Sequence, residues 1–132
     1  MKLYLAGAIQ NASDPITWRR NLTSKMPEGW EVVDPTEIEL FVGEEDNEEA
    51  ARRIVTNDFN AIRRCDAVLA LVNIASWGTG MEIFFAYQLR IPVIIWSPNN
   101  KPVGPWLQFH STVILSEFAD IKVFLRNLLA KA

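Results

Sequence analysis

The sequence predicts a single α/β domain in which helices cover both faces of a parallel sheet. Five short, almost continuous apolar runs alternate with segments of helical periodicity, and strands that are apolar on both faces are typical of a buried parallel sheet. The 132 residues, 49% of them hydrophobic and 22% charged, suit one globular domain spanning residues 1–132. Right-handed crossovers between five strands favour a doubly wound, flavodoxin-like order 2-1-3-4-5.

Each predicted strand is bounded by residues that interrupt regular structure, namely Gly, Pro, Asn, Asp or Ser. The strands cover residues 3–6, 30–33, 67–72, 93–96 and 113–115. Apolar residues at helical spacing predict helices over residues 15–26, about 44–64, 80–90 and 118–131. Asp14 before Pro15 is typical of a helix N-cap and first turn. Residues 35–49 are acidic and weakly patterned, which favours a solvated connection over a lid.

Composition disfavours several classes of protein. A net charge of −3 offers no electrostatic attraction for a nucleic-acid polymer. Cys65 and His110 are the only cysteine and the only histidine, so we expect no disulfide, no metal site and a cytoplasmic location. We expect no cofactor, because the chain has no G-x-x-x-x-G-K-[ST] loop and no G-x-G-x-x-G turn after the first strand. The N-terminal apolar run is too short for a signal peptide or a membrane span.

Two carboxylates lie where the hydrophobic pattern makes acids rare. Asp58 is at the centre of an apolar helical stripe, and an ionised carboxylate there must be hydrogen-bonded, paired or used for chemistry in a cleft. The stripe consists of Ala51, Ile54, Val55, Ile62 and Cys65. Glu82 follows a loop with two glycines and precedes an apolar run, which predicts a position in the first turn of a buried helix.

Both acids are expected at one crevice. In the predicted order the first and third strands are neighbours at the switch point, where open parallel sheets bind ligands. The loops after these strands, residues 7–11 and 73–82, should line a site that Asp58 can also face. Two carboxylates that flank a crevice can cleave a glycosidic bond, one as nucleophile and one as proton donor. Desolvation would raise the pKa of Asp58, whereas the helix terminus would keep Glu82 ionised.

Structural interpretations of these residues stay open. Thr79 and Glu82 have the spacing of a capping box, in which two side chains satisfy free amides of a helix. Asp58 could be a buried aspartate that accepts a hydrogen bond from a loop amide. Tyr4, on the first strand, could belong to the core, although its hydroxyl would need a partner.

Three blocks of sequence, residues 4–9, 58–70 and 78–94, together resemble the nucleoside 2-deoxyribosyltransferase family. The first reads Y-L-A-G-A-I and the last contains G-T-x-x-E-I. The resemblance implies a flavodoxin-like fold, cleavage of the N-glycosidic bond of 2'-deoxynucleosides, and a covalent deoxyribosyl intermediate on Glu82. It further implies that Asp58 contacts the base and assists its departure, and that Tyr4 steadies the nucleophile.

This family has two branches that act on different substrates, and the sequence has features of both. Many members carry an aspartate six residues before the nucleophile, where this chain has Ser76. A serine there resembles the 2'-deoxynucleoside 5'-monophosphate N-hydrolases, in which it helps to hold the phosphate. That branch would have a serine and an arginine where this chain has Ala8 and Gln10, and loss of a charged donor weakens a phosphate site. We therefore expect transfer of the sugar from a deoxynucleoside to another nucleobase, with monophosphate hydrolysis as the alternative.

The resemblance also predicts the remaining pocket residues and an oligomer. Gly7, Ile9, Ser76 and Gly78 are expected to line the pocket. The segment around Ser111 resembles one that completes a neighbouring subunit's site, so we expect a homodimer or larger homo-oligomer. Apolar residues in the loop 97–109 favour such a partner, and they are Trp106, Leu107 and Phe109. An alternative of another class is a non-catalytic nucleotide-sensing module, which would have no use for an acid within an apolar stripe.

Overall fold

A computed structural model describes residues 1–39 and 47–132. Five parallel strands form one sheet in the order β2-β1-β3-β4-β5, which confirms the predicted flavodoxin-like topology. The strands are β1 (Lys2–Gly7), β2 (Glu31–Val33), β3 (Ala67–Leu71), β4 (Val93–Trp96) and β5 (Val113–Leu115). The helices of the described residues are α1 (Thr17–Ser24), α2 (Pro35–Ile38), α3 (Glu48–Arg63), α4 (Trp77–Gln88), α5 (Pro105–Phe109) and α6 (Phe118–Lys131).

Alternate residues of the strands enter two apolar layers on opposite faces of the sheet. Leu3, Leu5 and Leu69 pack with residues of α1 and α6. Tyr4 and Val68 pack instead with residues of α3 and α4. This alternation places the Tyr4 side chain on the same face of the sheet as the two helices that carry Asp58 and Glu82.

The structure contains two short helices that the sequence pattern does not predict. Asp34 caps α2 by accepting a hydrogen bond from the Thr36 amide at 2.9 Å, and Pro35 opens the helix and is buried. The solvated connection predicted for residues 35–49 is therefore wrong for α2, while residues 40–46 lie outside the described residues. The second short helix, α5, lies in the predicted loop 97–109. Helices of four or five residues are too short to show a hydrophobic period.

The start of α1 also differs from the prediction. The helix begins at Thr17, two residues after the predicted start, and its backbone N-cap is Ile16. Asp14 still fulfils a capping function, because its carboxylate accepts hydrogen bonds from the amides of Ile16 and Thr17, each at 3.0 Å. Within residues 1–39 and 47–132, no helix has the length and apolar character needed to cross a membrane.

Candidate active site

A cavity of about 440 Å³ lies at the carboxyl ends of β1 and β3, where the sequence predicts the site. Its volume is in the usual range for small-molecule pockets. Of the predicted site residues, those that line it are Gly7, Ile9, Asp58, Ser76, Gly78 and Glu82. The prediction did not include three apolar lining residues of α3, which are Ile54, Val55 and Phe59.

Glu82 lies on the second turn of α4, because the helix begins at Trp77. Ser76 caps this helix, and its hydroxyl oxygen accepts a hydrogen bond from the Thr79 amide at 3.2 Å. The capping-box interpretation of Thr79 and Glu82 is therefore wrong. The Glu82 carboxylate instead accepts a hydrogen bond from the hydroxyl of Tyr4, an interaction that joins α4 to β1 at the wall of the cavity.

Tyr4 is completely buried and, unlike Gly7 of the same strand, does not itself line the cavity; its hydroxyl reaches the Glu82 carboxylate, which does. Burial, together with the negative charges of Glu82 and Asp58, raises the pKa of Tyr4 well above its usual range. The hydroxyl therefore keeps its proton at any physiological pH and acts as a hydrogen-bond donor. It binds one oxygen, Oε2, of the Glu82 carboxylate.

The apolar stripe around Asp58 divides between two environments. Ile62 and Cys65 enter the core, whereas Ile54 lines the cavity and Val55, which also lines it, is 49% exposed. Asp58 is half-buried at the boundary between them. No donor within residues 1–39 and 47–132 hydrogen-bonds to its carboxylate, so the described structure does not support the loop-amide interpretation. The apolar face of α3 therefore lines the cavity at one end and enters the core at the other.

The pKa values of the two acids are both raised, but in the opposite order to the prediction. Burial raises the pKa of Glu82 to about 8, the Tyr4 hydrogen bond and Arg19 oppose this, and Asp58 reinforces it. Burial raises the pKa of Asp58 to about 6, with a further increase from Glu39 and a decrease from Arg19. The expected protection of Glu82 by a helix terminus is wrong, because such protection does not extend beyond the first turn.

The sequence matches a family model described as Nucleoside 2-deoxyribosyltransferase over residues 3–122 of 132. The chain belongs to this family. Its structure is similar to a 2-deoxyribosyltransferase from the psychrotolerant bacterium Bacillus psychrosaccharolyticus, with a TM-score of 0.76 and 21% identity over 92% of this chain and 90% of that one. It is also similar to a conserved protein from Enterococcus faecalis V583, with a TM-score of 0.74 and 15% identity over 96% and 97% of the chains. No curated protein matches the sequence.

In this family member Ser111 does not line the cavity that contains Glu82. It follows α5, and its hydroxyl donates a hydrogen bond to the carbonyl of Gln108 at 2.9 Å. It lines a second cavity of about 490 Å³ together with Tyr87, Arg90 and His110. A role for Ser111 in substrate binding therefore remains a prediction that requires a neighbouring subunit.

A surface of exposed aromatic rings surrounds His110 and is called the aromatic patch below. Trp106 stacks on the imidazole with ring centroids 6.5 Å apart, and the other rings of the patch are those of Phe84, Tyr87 and Phe109. Trp106 is 79% exposed and Phe109 is 69% exposed. Leu107, expected to be exposed with them, packs against the core instead.

We expect the aromatic patch to be covered in a homodimer or larger homo-oligomer. Such a concentration of exposed apolar surface is unusual for a monomer. The variant Trp106→Asp should shift sedimentation toward the monomer, whereas Val123→Asp, an equally drastic change at an exposed position of α6, should not. Sedimentation of the unmodified protein as a monomer at assay concentrations would contradict this expectation and the proposed contribution of Ser111 to a neighbour's site.

Proposed function

We propose that this protein cleaves the N-glycosidic bond of 2'-deoxynucleosides and transfers the deoxyribosyl group, through a covalent intermediate on Glu82, to another nucleobase. The observation that carries the proposal is the carboxylate of Glu82, which Tyr4 holds at the wall of a cavity that Asp58 also lines. A nucleophile, its orienting donor and a second acid are the groups that a double displacement needs. The family to which the chain belongs supports the same chemistry.

In the first step, the free oxygen of the Glu82 carboxylate attacks C1' of the sugar while the bond from C1' to the base nitrogen breaks. The bonding electrons leave with the base, which takes the proton of Asp58. In the second step, a nitrogen of the incoming base attacks C1', the ester to Glu82 breaks, and Asp58 takes the proton that this nitrogen loses. Glu82 must therefore be ionised and Asp58 protonated when the reaction begins.

The charge of the cavity favours an uncharged nucleoside over a 5'-monophosphate. Among the described residues that line it, Asp58 and Glu82 are the charged ones, and neither Lys nor Arg lines the cavity. The Ser76 hydroxyl accepts hydrogen bonds from the amide and the hydroxyl of Thr79, and its own proton is the one neutral donation it can make to a phosphate. A phosphate in this cavity would meet two carboxylates without a compensating cation, which is unfavourable.

Deoxynucleosides should therefore be used at least as well as their 5'-monophosphates, and transfer to an added base should outrun hydrolysis. A panel of both substrates, incubated with and without an acceptor base, tests this by the free base and new nucleoside formed. Preference for monophosphates by more than about a hundredfold in kcat/KM, with no new nucleoside, would favour the hydrolase alternative. The absence of turnover with every substrate would favour the nucleotide-sensing module.

Gln10 offers a direct test of the missing phosphate contact, because it lines the cavity and is exposed. A charge-assisted hydrogen bond contributes about 1.5 to 3 kcal/mol, so Gln10→Arg should raise kcat/KM for monophosphates by roughly ten- to a hundredfold. The neutral variant Gln10→Met controls for size and should not. An equal effect of both variants would show that charge at this position does not govern substrate choice.

Tyr4→Phe should lower the transfer rate by roughly ten- to a hundredfold, because a hydrogen bond to an ionised group contributes about 1.5 to 3 kcal/mol. The phenyl ring keeps the packing of this buried side chain, so the melting temperature should change little. Measuring both quantities on one sample separates loss of the donor from loss of the fold. An unchanged rate would remove Tyr4 from the proposed mechanism.

A further inference from the structure

Arg19 is the only buried charged residue in the described part of the chain, and none of its surface is exposed. Burying a cation is costly unless it is paired and hydrogen-bonded, so its position requires an explanation. Its neighbour Arg20, on the same helix, is exposed. Successive residues of a helix point about 100° apart, and Arg19 lies on the inward face of α1 with Leu22, which is also buried.

The guanidinium of Arg19 holds both ends of the loop that joins β1 to α1. One terminal nitrogen donates to the carbonyl of Gly7 at 3.1 Å, and the other donates to the carbonyl of Pro15 at 2.5 Å. Residues 7–11 of this loop line the cavity. Two hydrogen bonds from one planar group to the two ends of a loop restrict the loop far more than either bond alone.

Trp18 completes this support from the other side. Its ring lies 4.6 Å from the Arg19 guanidinium carbon, and a Cβ atom added to Gly7 would come within 2.7 Å of the indole. The end of β1 is therefore in direct contact with both side chains. The wall of the cavity at Gly7 is fixed by residues that do not themselves line the cavity.

The positive charge of Arg19 is only partly compensated. Asp34 Oδ1 lies 3.6 Å from Nε, and Nε makes no hydrogen bond within residues 1–39 and 47–132. Burial lowers the pKa of Arg19, while Asp34, Glu82, Tyr4 and Asp58 act in the opposite direction. The positive charge of Arg19 in turn lowers the pKa of Glu82 and of Asp58, against the larger increase from burial.

We propose that Arg19 is a positioning residue for the proposed active site: its guanidinium clamps both ends of the β1–α1 loop, which forms one wall of the cavity. This assignment rests on the proposed function for its catalytic meaning. Its physical content is the restraint of the loop, which can be measured without turnover. The direction in which the titration of Glu82 moves supplies a second readout.

The charges that face Glu82 come from three elements. Tyr4 approaches from β1, Asp58 from α3 and Arg19 from α1, with Asp34 behind the guanidinium. Removing Arg19 should make Glu82 harder to ionise. Removing the charge of Asp34 leaves the Arg19 cation less compensated and should make Glu82 easier to ionise. The two substitutions should therefore move the titration of Glu82 in opposite directions, which a general loss of structure would not do.

Carbon-13 NMR of glutamate-labelled protein measures this titration, and Glu82→Gln identifies the resonance. In Arg19→Met we expect the midpoint to rise by about one pH unit, the usual size for loss of an opposite charge nearby. In Arg19→Lys it should stay closer to the unmodified value, and in Asp34→Asn it should fall. Asparagine is suited to this test because it caps helices as well as aspartate, so the start of α2 is preserved.

Hydrogen exchange of residues 8–14 tests the clamp separately. Exchange should accelerate roughly tenfold or more in both Arg19→Met and Arg19→Lys, since a lysine ammonium cannot bridge the two carbonyls with the same planar geometry, and it should not change in Asp34→Asn. Loop exchange that is unaffected by both Arg19 substitutions would overturn the proposal. Opposite shifts of the Glu82 midpoint in the Met and Asn variants, together with faster loop exchange, would support it. If Arg19→Met does not fold, the Lys variant decides the clamp.

Discussion

Replacement of Glu82 by glutamine is expected to lower turnover by roughly 10⁴-fold or more while the protein remains folded. The amide has the shape of the carboxylate and can still accept the hydrogen bond from Tyr4, but it cannot form the ester to the sugar. Initial rates of base release and new nucleoside formation measure the effect, and Glu28→Gln, an exposed acid, is the control. Activity within tenfold of the unmodified protein would exclude a covalent intermediate on Glu82.

Mass spectrometry gives the same prediction a positive test. During turnover, the peptide that contains Glu82 should carry one additional deoxyribosyl group, and this addition should be absent in Glu82→Gln. The test sample is mixed with the donor nucleoside and quenched before an acceptor base is added. If no adduct is found although the protein is active in transfer assays, the reaction is a direct displacement. The pair of measurements therefore separates the chemistry of the nucleophile from the overall reaction.

The same variant should also alter stability, with a sign that follows from the pKa. The pKa of Glu82 is about 8 in the folded protein against an ordinary value of 4.5, so the folded state binds the extra proton between these values. The unmodified protein should therefore lose stability as pH rises from about 4.5 to about 8. Glutamine does not ionise, so Glu82→Gln should not show this loss of stability. Chemical denaturation across the window should show a growing stability advantage for Glu82→Gln, and a constant difference would contradict the raised pKa.

The sheet could be predicted from the sequence because each strand has a local signal and the same signal occurs five times along the chain. Each strand is an apolar run between interrupting residues, and the alternation with helices leaves few topologies. The position of Glu82 in α4 depends on a finer feature, the choice of Ser76 rather than Thr79 as the cap. Both residue types cap helices well, so the pattern alone could not decide between them. Because Ser76 is the cap, Glu82 lies one helical turn further from the start of the helix than predicted, and the helix terminus does not keep its carboxylate ionised.

The remaining features of the site depend on contacts between distant segments. The stripe around Asp58 has the spacing of a core-facing helix, and nothing in its spacing indicates that Ile54 and Val55 line a cavity instead. Arg19 is adjacent to Arg20 in sequence, but it lies on the inward face of α1, where it meets the carbonyls of Gly7 and Pro15 and the carboxylate of Asp34. The two acids could be predicted because they interrupt an apolar pattern. The groups that shift their pKa values, such as Arg19, interrupt no such pattern.

Asp58→Asn is expected to lower kcat by roughly 10²- to 10⁴-fold, the usual range for loss of a general acid, and to change the shape of the pH profile. The proposed reaction begins with Glu82 ionised and Asp58 protonated, yet pKa values of about 8 and about 6 place the proton preferentially on Glu82. For the unmodified protein, kcat/KM should be bell-shaped with limbs near pH 6 and pH 8. A difference of two pH units means that about one molecule in a hundred has the productive arrangement.

Asparagine has no proton to lose, so the alkaline limb should disappear in Asp58→Asn. The one remaining limb should report ionisation of Glu82 and should lie between about 6 and about 8, because loss of the Asp58 charge makes Glu82 easier to ionise. Asp120→Asn, at an exposed position of α6, should keep both limbs. If both limbs survive in Asp58→Asn, Asp58 is not the titrating acid. If the remaining limb lies at or below pH 6, Glu82 ionises before Asp58, and the reversed order of the two acids is wrong.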